Sequence, residues 1–307
     1  MPTGFLKHPL CAAHEMGTWH PECPARLSAI QDQVIASGLA PYLEHIDAPQ
    51  ATLEAITRAH EQDYVERLQE QAPSRGYVPL DPDTAMNPST WRAALHAAGA
   101  VVEATDRVVS GALANAFCAV RPPGHHARPG AAMGFCLLNN VAIGALHALE
   151  VHGLERVAII DFDVHHGNGT EEIFADDERV LMASFFQHPF YPYSGTQNPA
   201  KNMVNVPLPA GTGGEKVRAV CDEIWMPRLE QFEPQMILVS AGFDAHREDD
   251  LGQMGLVEGD YAYMTGRLME LAARHCRGRL VSSLEGGYNL SALGRSVVAH
   301  LRVLARL

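Results

Sequence analysis

Short, unbroken apolar runs alternate with longer amphipathic stretches through most of the chain. Residues 116–120, 157–160, 180–186, 234–244 and 280–284 are such runs, and MVNVPLP at 203–209 is a shorter one. Aliphatic and β-branched runs of this length mark strands buried on both faces, as in a parallel sheet covered by helices. Between them the apolar positions recur with helical spacing. The predicted helices are 24–37, stopped at Gly38; 51–70, broken near His60; 89–110, with Ser89 as its cap; 137–153; a short one after His166; 214–232 in spite of Pro227; 260–276; and 290–307. Residues 3–24, rich in His, Gly and Pro, read as a surface loop, and up to residue 110 few strands are convincing. The Gly/Pro/Asp-rich stretch 73–88 reads as a loop facing a substrate, with Asp81 and Asp83 as its acids. Strand, crossover helix and next strand form the unit of a parallel α/β sheet. No linker interrupts the alternation, so residues 1–307 are expected to form one domain.

Four of these runs end in polar or glycine-rich loops, near Arg121, Asp161, Asp244 and Glu285. Open α/β sheets place their sites at the carboxyl ends of strands. In RVAIIDFDVHH, side chains two residues apart share a face, so Asp161, Asp163 and His165 can converge. Buried charges without partners are costly, and a divalent metal is the simplest common partner. Two carboxylates and one imidazole suit a catalytic zinc with an open position, and Asp163, His165 and Asp244 are the proposed set. Asp161 either binds a structural cation or orients a catalytic imidazole. His20 and Glu22 fit either a site or a polar loop packed under the first helix.

The paired His125 and His126, on the irregular RPPGHH backbone, complete a hydrolase. One imidazole takes a proton from water, and its neighbour assists electrostatically or protonates the leaving amine. Tyr288, presented by two glycines, can hydrogen-bond the oxyanion of a tetrahedral intermediate. No GxSxG elbow or dinucleotide fingerprint competes.

Composition narrows the partners. The formal charge is −13 and there is no basic block, which argues against a nucleic-acid partner. No apolar run reaches membrane-spanning length and no secretory h-region opens the chain, so no membrane association is expected and the reading is cytoplasmic. The six cysteines form no CxxC pair and are read as free structural thiols.

Taken together, HPECPARL at 20–27, RPPGHH at 121–126, GFCLLNN at 134–140, DFDVHHGNGT at 161–170, SAGFDAH at 240–246 and LEGGY at 284–288 closely resemble the zinc-dependent histone deacetylase and acetylpolyamine amidohydrolase superfamily. The pattern is similar to its class II branch, including bacterial histone-deacetylase-like amidohydrolases. The resemblance implies the three-layer arginase/deacetylase fold, with a mainly parallel eight-stranded sheet flanked by helices. It assigns zinc to Asp163, His165 and Asp244, proton handling to His125 and His126 with His126 as general base, and carbonyl polarisation to Tyr288. Asp161 would orient His125. It would also join the main-chain carbonyls of Asp163 and His165, with Ser184 and Phe185, around a structural potassium ion. Phe174, Asp177 and Val180 fall at a second monovalent site, where Asp177 replaces a threonine-like position.

The same resemblance implies an acyl-lysine tunnel with Gly134 and Phe135 on one side and Phe190 or Tyr191 on the other, Gly287 beside it and Asp83 at the entrance. Leu251 stands seven residues after Asp244, where polyamine-selective relatives carry an acidic gatekeeper. The implied reaction is zinc-dependent hydrolysis of N-acetyl-lysine amides in peptides or proteins, releasing acetate and the free amine. Hydrolysis of acetylpolyamines or other small amides is the alternative, and an acyl-lysine binding protein with little turnover is the alternative of another class. Assembly as a homodimer or homotetramer is also implied.

Overall fold

The computed structural model describes residues 1–307. Its strands are β1 (Thr3–Lys7), β2 (Leu43–Asp47), β3 (Val78–Pro79), β4 (Ala85–Met86), β5 (Asn115–Cys118), β6 (Val157–Asp161), β7 (Val180–Gln187), β8 (Met203–Leu208), β9 (Met236–Ala241) and β10 (Leu280–Leu284). The helices are α1 (Ala25–Ala36), α2 (Leu53–Thr57), α3 (Gln62–Gln71), α4 (Thr90–Ser110), α5 (Asn140–Glu150), α6 (Asn168–Phe174), α7 (Gly214–Val220), α8 (Met226–Phe232), α9 (Glu258–His275) and α10 (Leu290–Leu304). Eight strands form one sheet in the order β2-β1-β5-β10-β9-β6-β7-β8. Every pairing in it is parallel. β3 and β4 form a separate antiparallel hairpin within the predicted loop, and Asp83 lies in its turn.

The apolar runs explain the layering. On β6, Ala158 and Ile160 join the core on one face of the sheet, while Val157 and Ile159 join the core on the other. All four are fully buried, and Val157, Ile159 and Ile160 contribute about 1.5–3 kcal/mol each. β6 lies between β7 and β9, so neither face nor edge meets water.

Two strands of the eight-stranded sheet were not legible in the sequence. Thr3–Lys7, read as part of a loop, is a buried strand between β2 and β5, with Phe5 and Leu6 in opposite cores. Its five residues include Gly4 and Lys7, and what holds it is pairing with distant strands. β2 is an edge strand whose Glu44 and Asp47 dilute the apolar signal. Ser89 occupies the N-cap of α4 without a side-chain capping bond; Asn87 Oδ1 instead accepts from the Ser89 N–H and the Thr90 hydroxyl. The 214–232 helix continues through Pro227, with a π-helical turn at Cys221–Trp225 joining α7 to α8. Pro227 falls in the first turn of α8, where it interrupts least.

His60 lies between α2 and α3, at the predicted break. Its Nδ1 donates to the Arg128 carbonyl at 2.9 Å, and its Nε2 accepts from the Asn139 N–H at 2.9 Å. It therefore ties both ends of the 125–139 loop. Burial pushes this imidazole down to about 4. An unfolded histidine titrates near 6.5, so the stabilising effect of keeping His60 neutral is complete above that pH and is lost as pH falls toward about 4. In His60→Gln, the decline of unfolding free energy between pH 6.5 and 4 should be shallower by up to about 1.4 kcal/mol per pH unit, read by denaturant titration. An unchanged slope would show that His60 does not set the acid limb.

Candidate active site

The loops following β5, β10, β9 and β6, four adjacent strands at the middle of the sheet, meet above its carboxyl edge. Asp163 and His165 follow β6, and Asp244 follows β9. His165 Nδ1 lies 3.0 Å from Asp163 Oδ1 and 3.2 Å from Asp244 Oδ2. Each carboxylate keeps one oxygen on the backbone: Asp163 Oδ2 accepts from the Gly286 N–H at 2.8 Å, and Asp244 Oδ1 accepts from the Val164 N–H at 2.9 Å.

The three residues fit a divalent metal. Asp244 Oδ2 is buried without a hydrogen-bond partner and faces the cluster. Electrostatics agree. Burial raises the Asp244 carboxyl, and the Asp163 charge adds to it, to about 7. Burial also opposes the Asp163 charge, but the cationic His125 and His165 outweigh that and hold it well below the usual carboxylate range. The His165 imidazole, lowered by burial, is carried up to about 10 by its hydrogen bond to Asp163 and by the nearby charges of Asp244 and Asp163. Two buried carboxylates thus face a space that a dication would neutralise. Gly286 closes this space, since a Cβ there would stand 2.0 Å from Asp244 Oδ2 and 2.6 Å from Asp163 Oδ2.

Beside the cluster, the histidine pair is polarised in opposite senses. His125 Nδ1 donates to Asp161 Oδ2 at 2.9 Å. Burial lowers this imidazole, yet the carboxylates of Asp163 and Asp161 outweigh burial and raise it to about 10. His126 Nδ1 lies 2.7 Å from Asn168 Oδ1. Burial, then the charges of His125 and His165, push His126 well below its ordinary value. Neutral, with its proton held on Nδ1 by the Asn168 carbonyl, His126 presents the Nε2 lone pair. Environments that push two adjacent groups apart define an acid–base assignment.

A pocket of about 410 Å³ elsewhere touches none of these residues, whereas a cavity of about 290 Å³ opens directly on them. Its walls include His126, His165 and Tyr288, with Gly134 and Phe135 facing Phe190 and Tyr191. Phe190 stacks on His165 with centroids 5.4 Å apart, and the Tyr191 ring meets His126 edge-on at 5.3 Å. Phe135 is held at φ 70°, its N–H donating to Thr84 Oγ1 at 2.9 Å. Gly134, also left-handed at φ 57°, leaves room for the His126 ring, which a Cβ would meet at 2.4 Å. Asp83 and Leu251 also line the cavity, together with Asp250 and Gln253. Gly287 does not line the cavity; its carbonyl accepts from Arg26 Nε at 2.6 Å.

Several supporting residues were not singled out from sequence. Asn168 lies within DFDVHHGNGT and was findable there. Glu285 Oε2 accepts from the Gly124 and His125 N–H groups at 2.6 and 3.1 Å, fixing the turn that carries the histidines. Asp249 Oδ2 accepts from the N–H groups of Tyr288 and Asn289 at 2.6 and 2.9 Å. Nothing local marks Asp249. Glu22 is a buried hub for Arg26, Arg121 and His14, while His20 reaches the Asp83 carbonyl at 3.1 Å.

Asp161 and Ser184, two of the five residues expected around potassium, are register partners on β6 and β7. At the second predicted position, the carbonyls of Phe174, Asp177 and Val180 do converge. They meet on Asn202 Nδ2, which donates at 2.8, 3.1 and 3.0 Å.

Fold and site define a class: a parallel α/β hydrolase with a buried cluster fit for a divalent ion and a histidine pair beside it. The profile of the histone deacetylase domain matches residues 20–304, and the chain belongs to that family, whose members are zinc-dependent. It is 40% identical over 298 residues to a "Probable deacetylase" of Archaeoglobus fulgidus, covering 94% of this chain and 82% of that one. Identity to the "Histone deacetylase-like amidohydrolase" of Pseudomonas aeruginosa is 38% over 293 residues, covering 93% and 75%. The "Polyamine deacetylase HDAC10" of Mus musculus is 36% identical over 304 residues, 92% of this chain and 44% of that one. The crystal structure of the HDA15 HD domain superposes with a TM-score of 0.92 at 35% identity, covering 99% and 90%. The protein is accordingly a hydrolytic deacetylase acting on acetylated amines.

Proposed function

We propose that the protein hydrolyses the acetyl-lysine amide of peptides or proteins, with residues 1–307 acting as one catalytic domain. The observation that carries this reading is the convergence of the Asp163–His165–Asp244 cluster, His126 and Tyr288 at the end of one narrow aromatic-walled cavity. Asp163, His165 and Asp244 would hold the zinc ion, which when bound supplies Lewis acidity for water and for the amide carbonyl. Phe135, Phe190 and Tyr191 grip the methylene stem of the substrate. His126 Nε2 takes a proton from the attacking water and delivers it to the amine nitrogen as the C–N bond breaks. His125, kept cationic by Asp161, stabilises the negative charge that develops nearby. Acetate and the free amine result.

Tyr288 donates its hydroxyl proton in a hydrogen bond to the developing oxyanion. Its ring is held between the Arg26 guanidinium, 4.9 Å from the centroid, and the Phe135 ring at 5.9 Å, while Asp249 holds its backbone N–H. Tyr288→Phe should keep zinc and KM close to wild type and lower kcat about 100-fold, the usual cost of one oxyanion donor. A kcat within twofold of wild type would remove Tyr288 from the mechanism.

Acetylpolyamine hydrolysis is the second reading, favoured by one feature: Asp83 and Asp250 both line the cavity, where they would attract a cationic substrate. Against it, Leu251 provides no charge at the gatekeeper position. Comparing kcat/KM on an acetyl-lysine peptide and on acetylated spermidine decides between them. Tenfold preference for the peptide, about 1.4 kcal/mol in transition-state binding, supports the first reading, and the reverse preference the second. Tight peptide binding with no released amine would instead favour an acyl-lysine binding role.

A potassium ion held by Asp161, Ser184, Phe185 and the carbonyls of Asp163 and His165 belongs to this proposal, with the Asn202 amide taking the place of a second monovalent ion. No helix is long and apolar enough to cross a membrane. All six cysteines are unpaired, which supports residence in the reducing cytoplasm. Dimeric or tetrameric assembly completes the proposal and is read by light scattering.

A further inference from the structure

A second His/Asp cluster lies at the opposite end of β6 from the active site. Asp106 projects from α4, His147 from the last turn of α5, and His152 from the turn between α5 and β6. His147 Nε2 and His152 Nε2 lie 2.7 and 2.6 Å from the same oxygen, Asp106 Oδ1. From Val157 to Asp161, β6 alone spans about 13 Å between this cluster and the active site.

We propose that Asp106, His147 and His152 form a second metal site, for a divalent transition ion of the zinc, nickel or copper class. One carboxylate and two imidazoles with open positions suit such ions, whereas calcium or magnesium would require mainly oxygen donors. Ligand atoms about 2.0–2.1 Å from a tetrahedral zinc ion stand about 3.3 Å apart, so Asp106 must draw back from the two imidazoles, now at 2.7 and 2.6 Å, to turn these contacts into a coordination set. The environment favours a held but accessible ion. The side chains of His147 and His152 are 10% and 22% exposed, while that of Asp106 is 43% exposed, leaving one side open to water ligands.

Arg58 acts as a brake on this site. Its Nη1 lies 3.4 Å from His147 Nδ1, which accepts in the metal-free arrangement, so the His147 proton sits on Nε2 facing Asp106. Coordination through Nε2 moves that proton to Nδ1 and releases Arg58, which remains paired with Glu54 at 2.7 Å. The bound ion would pin α4 to the turn that leads into β6.

The test is metal counting after equilibrium dialysis of the full chain against micromolar Zn²⁺. His152→Ala should bind one equivalent fewer than wild type, with deacetylase turnover unchanged because the cluster lies away from the catalytic cavity. Asp163→Ala should lose the other equivalent and keep this one, so failure of the active-site reading is distinguishable. Arg58→Gln should tighten the second site several-fold. Equal zinc content in His152→Ala and wild type would overturn the site, and unchanged affinity in Arg58→Gln would overturn the braking role of Arg58.

Discussion

Asp163→Ala should abolish zinc binding at the active site and lower turnover to background, a loss of at least about 1,000-fold, while the protein stays folded. The carboxylate is fully buried and lies 3.0 Å from the His165 ring, so no neighbouring side chain or solvent can substitute for it. The expected persistence of the fold has a physical reason. Truncation strips acceptors from the N–H groups of His165 and Gly286, at about 1–3 kcal/mol for each one left unpaired. It also removes a charge that burial disfavours and that raises both Asp161 and Asp244. Asp163→Asn is the sharper control because its amide oxygen preserves an acceptor. Metal content, circular dichroism and kcat measured on both variants separate loss of metal from loss of structure. Zinc-dependent turnover at the wild-type rate in either would sink the assignment.

His126→Ala should retain zinc and bind substrate with KM within a few-fold of wild type, yet lose about 10³-fold in kcat. General acid–base catalysis contributes roughly 10²- to 10⁴-fold, and His126 serves in both proton transfers of the proposed cycle. The corresponding His125→Ala effect should be smaller, because His125 stays protonated throughout and acts by its charge. The contrast follows from their partners: a carboxylate 2.9 Å from His125, and a neutral amide 2.7 Å from His126. The diagnostic result is the order of the two kcat losses at full zinc occupancy. If His125→Ala is the more damaging variant, the general base has been assigned to the wrong histidine.

Much of the site was legible because its chemistry is concentrated at the ends of apolar runs. The Asp161–His166 segment starts at the end of a strand buried throughout, and the period of extended backbone put its alternate residues on one side before any neighbour was known. The partners that set their protonation were less legible. Glu285 reaches the RPPGHH turn from the end of β10, and Asp249 supports Tyr288 from a loop after β9. Such pairings cross long stretches of chain and leave no local period. The same holds for β1, whose five residues carry a weak apolar signal and are ordered by neighbours 40 and 112 residues away, counting from Thr3 to Leu43 and Asn115.

The amino-acid sequence by itself determined the buried strands, the α/β alternation, the metal-binding residue types and the histidine pair, because these depend on side-chain chemistry and short-range spacing. Only the tertiary structure decided that His126 faces an amide, that Asn202 fills a nest of carbonyls, and that β1 belongs in the sheet. Those outcomes depend on which distant backbone groups and charges are brought within a few ångströms. Over such distances, desolvation and Coulomb interactions control protonation.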